Sequence, residues 1–235
     1  MNNHLVSIIM PVRNGSNYIE EALSAIKSQD IDMEIIAVDD GSNDDTAQIA
    51  ESFGCIVVKH PTSKGPVIAK NTALKIARGR YVMFHDHDDV MTFNALPQML
   101  KELQENEGIF AVMAQMQDFF SPELSEDERK KIALRTESYS GLLSGAILMK
   151  KEVFDKIGLF DETLKAGDAM YWNSKMKANN LGIKKLNFIA ANRRIHNASF
   201  GRTNKKTEFK DYAAILRSKI VNVSKEKQSS LTLSK

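Results

Sequence analysis

The chain has 235 residues, 43% hydrophobic and 26% charged, a composition that excludes disordered, collagen-like and disulfide-stapled proteins and fits one large or two small globular domains. Its single cysteine, Cys55, leaves no intrachain disulfide and no cysteine-based metal site. The net charge of +2 is uneven: Arg193 to Lys235 carries 11 basic and 3 acidic groups, the rest of the chain 21 and 27, so an acidic body bears a basic tail suited to an anionic partner.

In chain order, Leu5 to Met10 is apolar apart from Ser7 and ends at Pro11, the pattern of a strand buried on both faces. Asn17 is placed to cap a helix, with Glu20 as its reciprocal partner, and Ile19, Ala22, Leu23 and Ile26 give that helix one apolar face. Met33 to Val38 reads as a second strand, Thr46 to Phe53 as a helix and Cys55 to Val58 as a third strand. Pro66 opens a third helix, where its missing N–H costs nothing, and Tyr81 to Phe84 is a fourth strand. Leu96, Met99, Leu100 and Leu103 mark a helix, and Phe110 to Met116 a strand. Residues 121–138 read as an exposed excursion whose short helix carries a capping box, Ser125 with Glu128. Gly141 to Met149 is apolar; Lys151 to Ile157 and Asp168 to Asn179 read as helices, and Ile183 to Ile189 as a late strand. In the tail, Phe209, Tyr212, Ala213, Leu216 and Ile220 keep a helical stripe, and residues 224–235 read as frayed.

This rhythm of strands and helices predicts an α/β fold with a doubly wound, mostly parallel sheet. Such sheets bind ligands outside the carboxyl ends of their strands. The polar clusters fall there: Arg13-Asn14, Asp39-Asp40 and Asp86-His87-Asp88-Asp89 each follow an apolar strand. Three carboxylates within four residues repel one another unless a cation sits among them, and Mg²⁺ typically takes one or two carboxylates plus substrate phosphates. The Asp39-Asp40-Gly41-Ser42 turn offers acceptors for a base N–H or a ribose hydroxyl, and Asp44, Asp45 or Thr46 caps the next helix. His87 is read as a packing residue rather than a ligand, and Trp172 either stacks on a sugar or packs.

The segments SIIMPVRNGSNYIEEALSAI, EIIAVDDGSNDDT, KGPVIAKNTAL, FHDHDD, SGAILMKKEVFDKIGLFDETL, GDAMYW and RRIHNASF follow one another in this order. Together they resemble the family 2 glycosyltransferases, inverting enzymes of the GT-A, Rossmann-like fold, over roughly residues 5 to 202. The resemblance implies that Pro11, Arg13 and Asn14 edge a nucleotide pocket, that Asp39 takes the base with Asp40 assisting, and that Asp86 contacts ribose or sugar. It implies a metal, Mg²⁺ or Mn²⁺, at Asp88 with Asp86 and His196, and a general base at Asp168. It places Lys70 in the nucleotide site too, where the family usually has Arg, and Gly167 stands where the family often has Glu. Arg193, Arg194 and Arg202 are candidates for charge-assisted bonds to phosphate.

The implied reaction moves a sugar from a nucleotide-diphosphate sugar, UDP-sugar favoured, to a glycan, lipid-linked or peptide acceptor, with no nucleic acid involved. Two other readings stay open: a non-catalytic nucleotide-sugar-binding module, and a haloacid-dehalogenase-type phosphatase, since Asp86-His87-Asp88-Asp89-Val90 also fits a DxDx[TV] pattern. A dehydrogenase is excluded because no G-x-G-x-x-G follows the first strand. The expected organisation is one domain over residues 1–204, a nucleotide half to about 116 and an acceptor half beyond it, then a basic helical tail over 205–235. Met1 to His4 lacks the basic and apolar regions of a signal peptide. The expected location is therefore cytoplasmic, with peripheral contact at the inner membrane face through the tail.

Overall fold

The computed structural model describes residues 5–132, 134–140, 144–198, 207, 209–213 and 215. The first half runs β1 (Val6–Val12), α1 (Ile19–Lys27), β2 (Met33–Asp39), α2 (Thr46–Ser52), β3 (Ile56–Lys59), α3 (Pro66–Ile76) and β4 (Tyr81–Phe84). The second runs β5 (Val90–Met91), α4 (Ala95–Glu105), β6 (Ile109–Phe120), α5 (Glu126–Lys130), β7 (Tyr139–Ser140), β8 (Ile147–Lys150), α6 (Val153–Ile157), α7 (Asp168–Ala178) and β9 (Gly182–Ile195).

These strands join one sheet in the order β3-β2-β1-β4-β8-β6-β9-β5, with β7 on β6. β3, β2, β1 and β4 are parallel neighbours. β8 runs antiparallel to both β4 and β6, while β6 and β9 are parallel. The chain winds outward from β1 to β3 and then returns to lay β4 on the other side of β1, which makes the β1/β4 boundary the topological switch point.

Both faces of the sheet are covered. Ile8, Met10, Ile35, Ala37 and Met83 pack with α1 and α4 residues such as Leu23, Ile26, Leu96 and Met99. Ile9, Ile36, Val38, Val82 and Phe84 face α3, α6 and α7, meeting Val67, Leu74, Phe154 and Trp172. Successive strand residues thus alternate between two cores, so β1 reads as an unbroken apolar run. Each fully buried aliphatic side chain contributes about 1.5–3 kcal/mol. Ser7 interrupts the run because its hydroxyl donates to Glu34 at 2.6 Å and accepts the Gly79 N–H at 2.8 Å. Gly79 is forced by that approach: a Cβ there would stand 2.4 Å from the Ser7 nitrogen.

Several expectations are corrected. α1 begins at Ile19, and neither Asn17 nor its partner Glu20 caps it; the loop before it is tied instead to the β2–α2 loop, Gly15 N–H donating to Thr46 Oγ1 at 2.8 Å and Ser16 N–H to Asp44 at 3.2 Å. Asp44 also accepts the Thr46 N–H at 3.2 Å, but the cap position of α2 is Asp45, whose side chain makes no capping bond. β6 extends to Phe120 and β9 to Ile195, so Arg193 and Arg194 lie in a strand, and β5 and β7 add pairings too short to show a period. β6 runs through residue 116, so one strand carries parts of both expected halves. The capping box of α5 forms in both directions between Ser125 and Glu128.

The described part of the tail is helical at residues 207, 209–213 and 215. Its docking follows the expected stripe only in part: Tyr212 of the stripe lines a cavity and Ile215, off the stripe, is buried at 6% exposure, whereas Phe209 is 78% exposed. Leu216, Ile220, Arg202, the onset of the tail at Lys205 and residues 224–235 lie outside the described residues. No described helix is long and apolar enough to cross a membrane.

Candidate active site

The three polar clusters converge on the carboxyl ends of β2, β1 and β4, side by side at the switch point. Pro11 is buried opposite Val38, one residue before Val12 pairs with Asp39, and lies beyond the last β4 partner of β1. Its missing N–H therefore removes no bond to β4. Arg13 and Asn14 follow on the exposed rim. Asn14 adopts a left-handed conformation, φ 51°; its N–H donates to Ser42 Oγ at 2.9 Å and its side chain accepts the Asn43 N–H at 2.9 Å.

Asp39 and Asp40 divide the work. Asp39 is buried at 6% exposure, and its Oδ1 accepts the Ser42 N–H at 2.9 Å. Asp40 is engaged through both oxygens, by His60 Nδ1 at 2.7 Å, Ser63 Oγ at 2.7 Å, and the Lys64 and Gly65 N–H groups at 2.8 Å each. Burial works to raise its pKa, but these partners outweigh burial and hold the carboxyl below the usual carboxylate range. Asp40 thereby shapes the β3–α3 loop. Gly41 makes the turn after Asp40 at φ 77°, where a Cβ would stand 3.0 Å from the Ser63 nitrogen.

The acidic cluster gives each carboxylate a different environment. Asp88 meets His196 Nε2 at 2.9 Å, both side chains largely buried. Burial would raise the Asp88 carboxyl, yet the His196 bond, with His87 nearby, holds it low. Asp89 is buried and accepts the Arg194 N–H at 3.1 Å; burial, with Asp88 and Asp86 alongside, pushes it well above the ordinary range. Asp86 lies within electrostatic reach of Lys70. Among the described residues no group of three His, Cys, Asp or Glu converges as a preformed metal cage. The pair Asp88 and His196 is what the fold brings together, and Asp86 does not join it.

The histidines beside Asp86 are structural. β4 ends at Phe84, so His85 and His87 do not share a strand face. His85 is buried with Nδ1 2.8 Å from the Asp86 carbonyl oxygen, and burial lowers its pKa. His87 packs over Gly15, where a Cβ would stand 2.4 Å from the imidazole.

Arg194 is spent on architecture rather than left for phosphate. Buried at 4% exposure, it donates to the Asp88 carbonyl at 3.0 Å and to Glu21, and lies between the rings of Tyr18 and Phe119, 5.2 and 4.7 Å from their centroids. Tyr18 in turn packs its ring, tilted by 51°, 4.6 Å from that of His196 and donates to Glu123; burial and Glu123 push its hydroxyl up to about 12. Tyr18 packs against His196, Glu123 holds Tyr18 and Glu21 holds Arg194, and no spacing in the sequence pointed to them.

Asp168 stands where α3 and α7 meet. It is the first residue of α7. The Lys70 ammonium donates to its carboxylate, with both side chains buried. Burial opposes the charge on Lys70, but Asp168 and Asp86 outweigh it and raise the lysine above its ordinary pKa. Asn71 fastens α3 to the loop before α7, donating to the Phe160 carbonyl at 2.9 Å and accepting the Phe160 N–H at 3.0 Å. Trp172 is fully buried in the core beneath α7, so it packs and does not stack on a ligand. Gly167 is filled from outside: a Cβ there would stand 2.7 Å from Asp211 Cβ and 3.2 Å from Ile215 Cδ1. Beside α7 opens a cavity of about 760 Å³, lined by Met113, Met170, Leu181, Ile183 and Tyr212 with Lys177 and Lys185 among its polar groups.

Asp86 follows the fourth strand, so it cannot be the nucleophile that dehalogenase-type phosphatases place after the first. The comparisons with known proteins agree with the fold. The chain matches the model for Glycosyl transferase family 2 over residues 7–158. It is 34% identical over 176 residues to an uncharacterized glycosyltransferase of Rickettsia prowazekii, covering 68% of this chain and 55% of that protein. It is 28% identical over 179 residues to the glycosyltransferase GlyG of Streptococcus pneumoniae, covering 66% and 60%. The chain thus spans a little over half the length of these relatives. Among solved structures, S. aureus TarS in complex with UDP superposes with a TM-score of 0.65 at 26% identity over 81% of this chain and 60% of that one. The Pyrobaculum calidifontis mannosyltransferase PcManGT, solved with GDP-Man and Mn²⁺, shares the fold at a TM-score of 0.67 and 18% identity over 92% and 65%. With the family match spanning well over half the chain and the GT-A architecture in place, this chain belongs to glycosyl transferase family 2.

Proposed function

We propose that the chain transfers a sugar from a nucleoside-diphosphate sugar, a UDP-sugar by preference, to an acceptor hydroxyl with inversion at the anomeric carbon. The observation that carries this reading is the meeting of Asp88 and His196, 108 residues apart in sequence, at 2.9 Å on the switch-point edge that also holds Asp39. One carboxylate and one imidazole suit a divalent cation that completes its coordination with substrate phosphate oxygens. Asp88 and His196 would hold Mg²⁺ or Mn²⁺, which when bound neutralises the charge developing on the departing diphosphate.

The chain's own groups do the rest. Asp39 accepts from the base, and Arg13 and Asn14 border the nucleotide. Asp86 faces the ribose or sugar. Asp168 removes the acceptor proton as the acceptor oxygen bonds the anomeric carbon; the bond from that carbon to the diphosphate breaks, and the nucleoside diphosphate leaves with the electron pair. Lys70 stays paired with Asp168 until the anionic donor offers the ammonium a second partner. The similarity to TarS, a UDP-binding protein, supports the choice of nucleotide.

The test is a panel of UDP-glucose, UDP-galactose, UDP-N-acetylglucosamine and GDP-mannose with Mn²⁺, scored for thermal shift and for nucleotide release with water as acceptor. A metal-dependent shift with release from a UDP-sugar is the expected result. No shift and no release with any donor overturns the reading.

A further inference from the structure

We propose that Asp211, on the helical part of the tail, is a positioning residue for Asp168, so that the tail is part of the acceptor side of the site. The proposal rests on the reading of Asp168 as the base. One oxygen of Asp211 accepts the N–H groups of three successive residues, Lys165 at 2.7 Å, Ala166 at 2.7 Å and Gly167 at 3.0 Å. Those residues lead directly into Asp168, the first residue of α7. Among the described residues no other acceptor takes these three N–H groups.

Two further observations fall on the same spot. Gly167 has an ordinary negative φ of −95°, so its backbone does not require glycine. Space does, since a Cβ would press on Asp211 Cβ at 2.7 Å and on Ile215 at 3.2 Å. Ile215, one turn beyond Asp211, is buried. The sequence therefore gives up a side chain next to the base to seat the tail helix, and the carboxylate seated there fixes the loop that aims Asp168. Asp39, Asp88 and His196 lie on other elements, so Asp211 acts on the acceptor step and leaves the nucleotide alone.

The experiment uses the full chain. UDP release from the UDP-sugar selected by the donor panel, with water as acceptor, is measured beside the UDP dissociation constant in Mn²⁺ and amide exchange at residues 165–167. Asp211→Ala is expected to lower kcat about 10- to 10²-fold, the scale on which small misplacements act. It should also speed exchange at Lys165, Ala166 and Gly167 and leave UDP affinity within about twofold, well under the tenfold that 1.4 kcal/mol represents. Asp211→Asn, which keeps an acceptor oxygen, should recover most of the rate. Gly167→Ala, which crowds Asp211, should reproduce the loss, and it settles the matter if Asp211→Ala does not fold. Full rate in a folded Asp211→Ala or Gly167→Ala variant overturns the proposal, as does a parallel loss of UDP affinity. If Asp168→Asn keeps its rate, it is the base assignment that fails. An inactive Asp168→Asn beside a fully active Asp211→Ala sinks only the role given to Asp211.

Discussion

Lys70 and Asp168 form a buried ion pair that joins α3 to the first turn of α7, their side chains 8% and 11% exposed. Neither charge has much water to fall back on, so each depends on the other. Lys70→Met is expected to cost about 3–5 kcal/mol, because it leaves a buried carboxylate unpaired. The double replacement Lys70→Met with Asp168→Leu should regain most of that stability, since the uncompensated charge is gone. Urea unfolding of the three proteins measures this; a double variant no more stable than Lys70→Met contradicts the pairing.

Asp88 and His196 should carry the metal dependence of nucleotide binding. UDP titrations with Mn²⁺ and with chelator are expected to differ for the native chain. Asp88→Asn and His196→Ala should each erase at least ~10-fold of that difference, no less than the loss of a supporting group costs a metal site. Asp127→Asn, on the exposed helix α5, should leave it unchanged.

Asp39 spends one oxygen on the Ser42 N–H. Asp39→Ala should therefore lower stability by only about 1 kcal/mol. It should weaken UDP binding by ~10- to 10²-fold, the value of one hydrogen bond to a charged acceptor. Calorimetry beside thermal melting separates the two effects, and unchanged affinity in a folded variant shows Asp39 to be structural.

Asp40 gives a pH signature. Its carboxyl is held below the usual range in the folded state, so its contribution is complete above the unfolded carboxylate value near ~4 and fades as pH falls through the folded one. Asp40→Asn should be less stable by about 2 kcal/mol at neutral pH, and the gap should narrow only below about pH 4. A gap that is constant down to pH 2 or that closes near neutrality contradicts the assignment.

Much of this architecture was legible in the sequence because strands buried on both faces appear as apolar runs, and their polar ends marked the switch-point edge where Asp39 and Asp88 stand. What escaped was long-range or too short to have a period. β5 and β7 have two residues each, and β9 hid its length behind Lys184, Lys185 and Arg193. The pairing of Lys70 with Asp168 spans 98 residues and leaves no spacing to read. The tail was only partly legible because Phe209 of its stripe is exposed, while the docked side adds a carboxylate, Asp211, that breaks apolar periodicity.

The central claim is that Asp168 takes the acceptor proton at a site whose nucleotide is held elsewhere. Its most direct test is the initial rate of UDP release measured beside the UDP dissociation constant, native chain against Asp168→Asn. The replacement keeps shape but cannot take the proton at neutral pH. The account predicts a rate at least ~10²-fold lower, the usual scale for losing a general base, with UDP affinity nearly intact. A variant that keeps most of its rate, or that loses rate and affinity together, contradicts it.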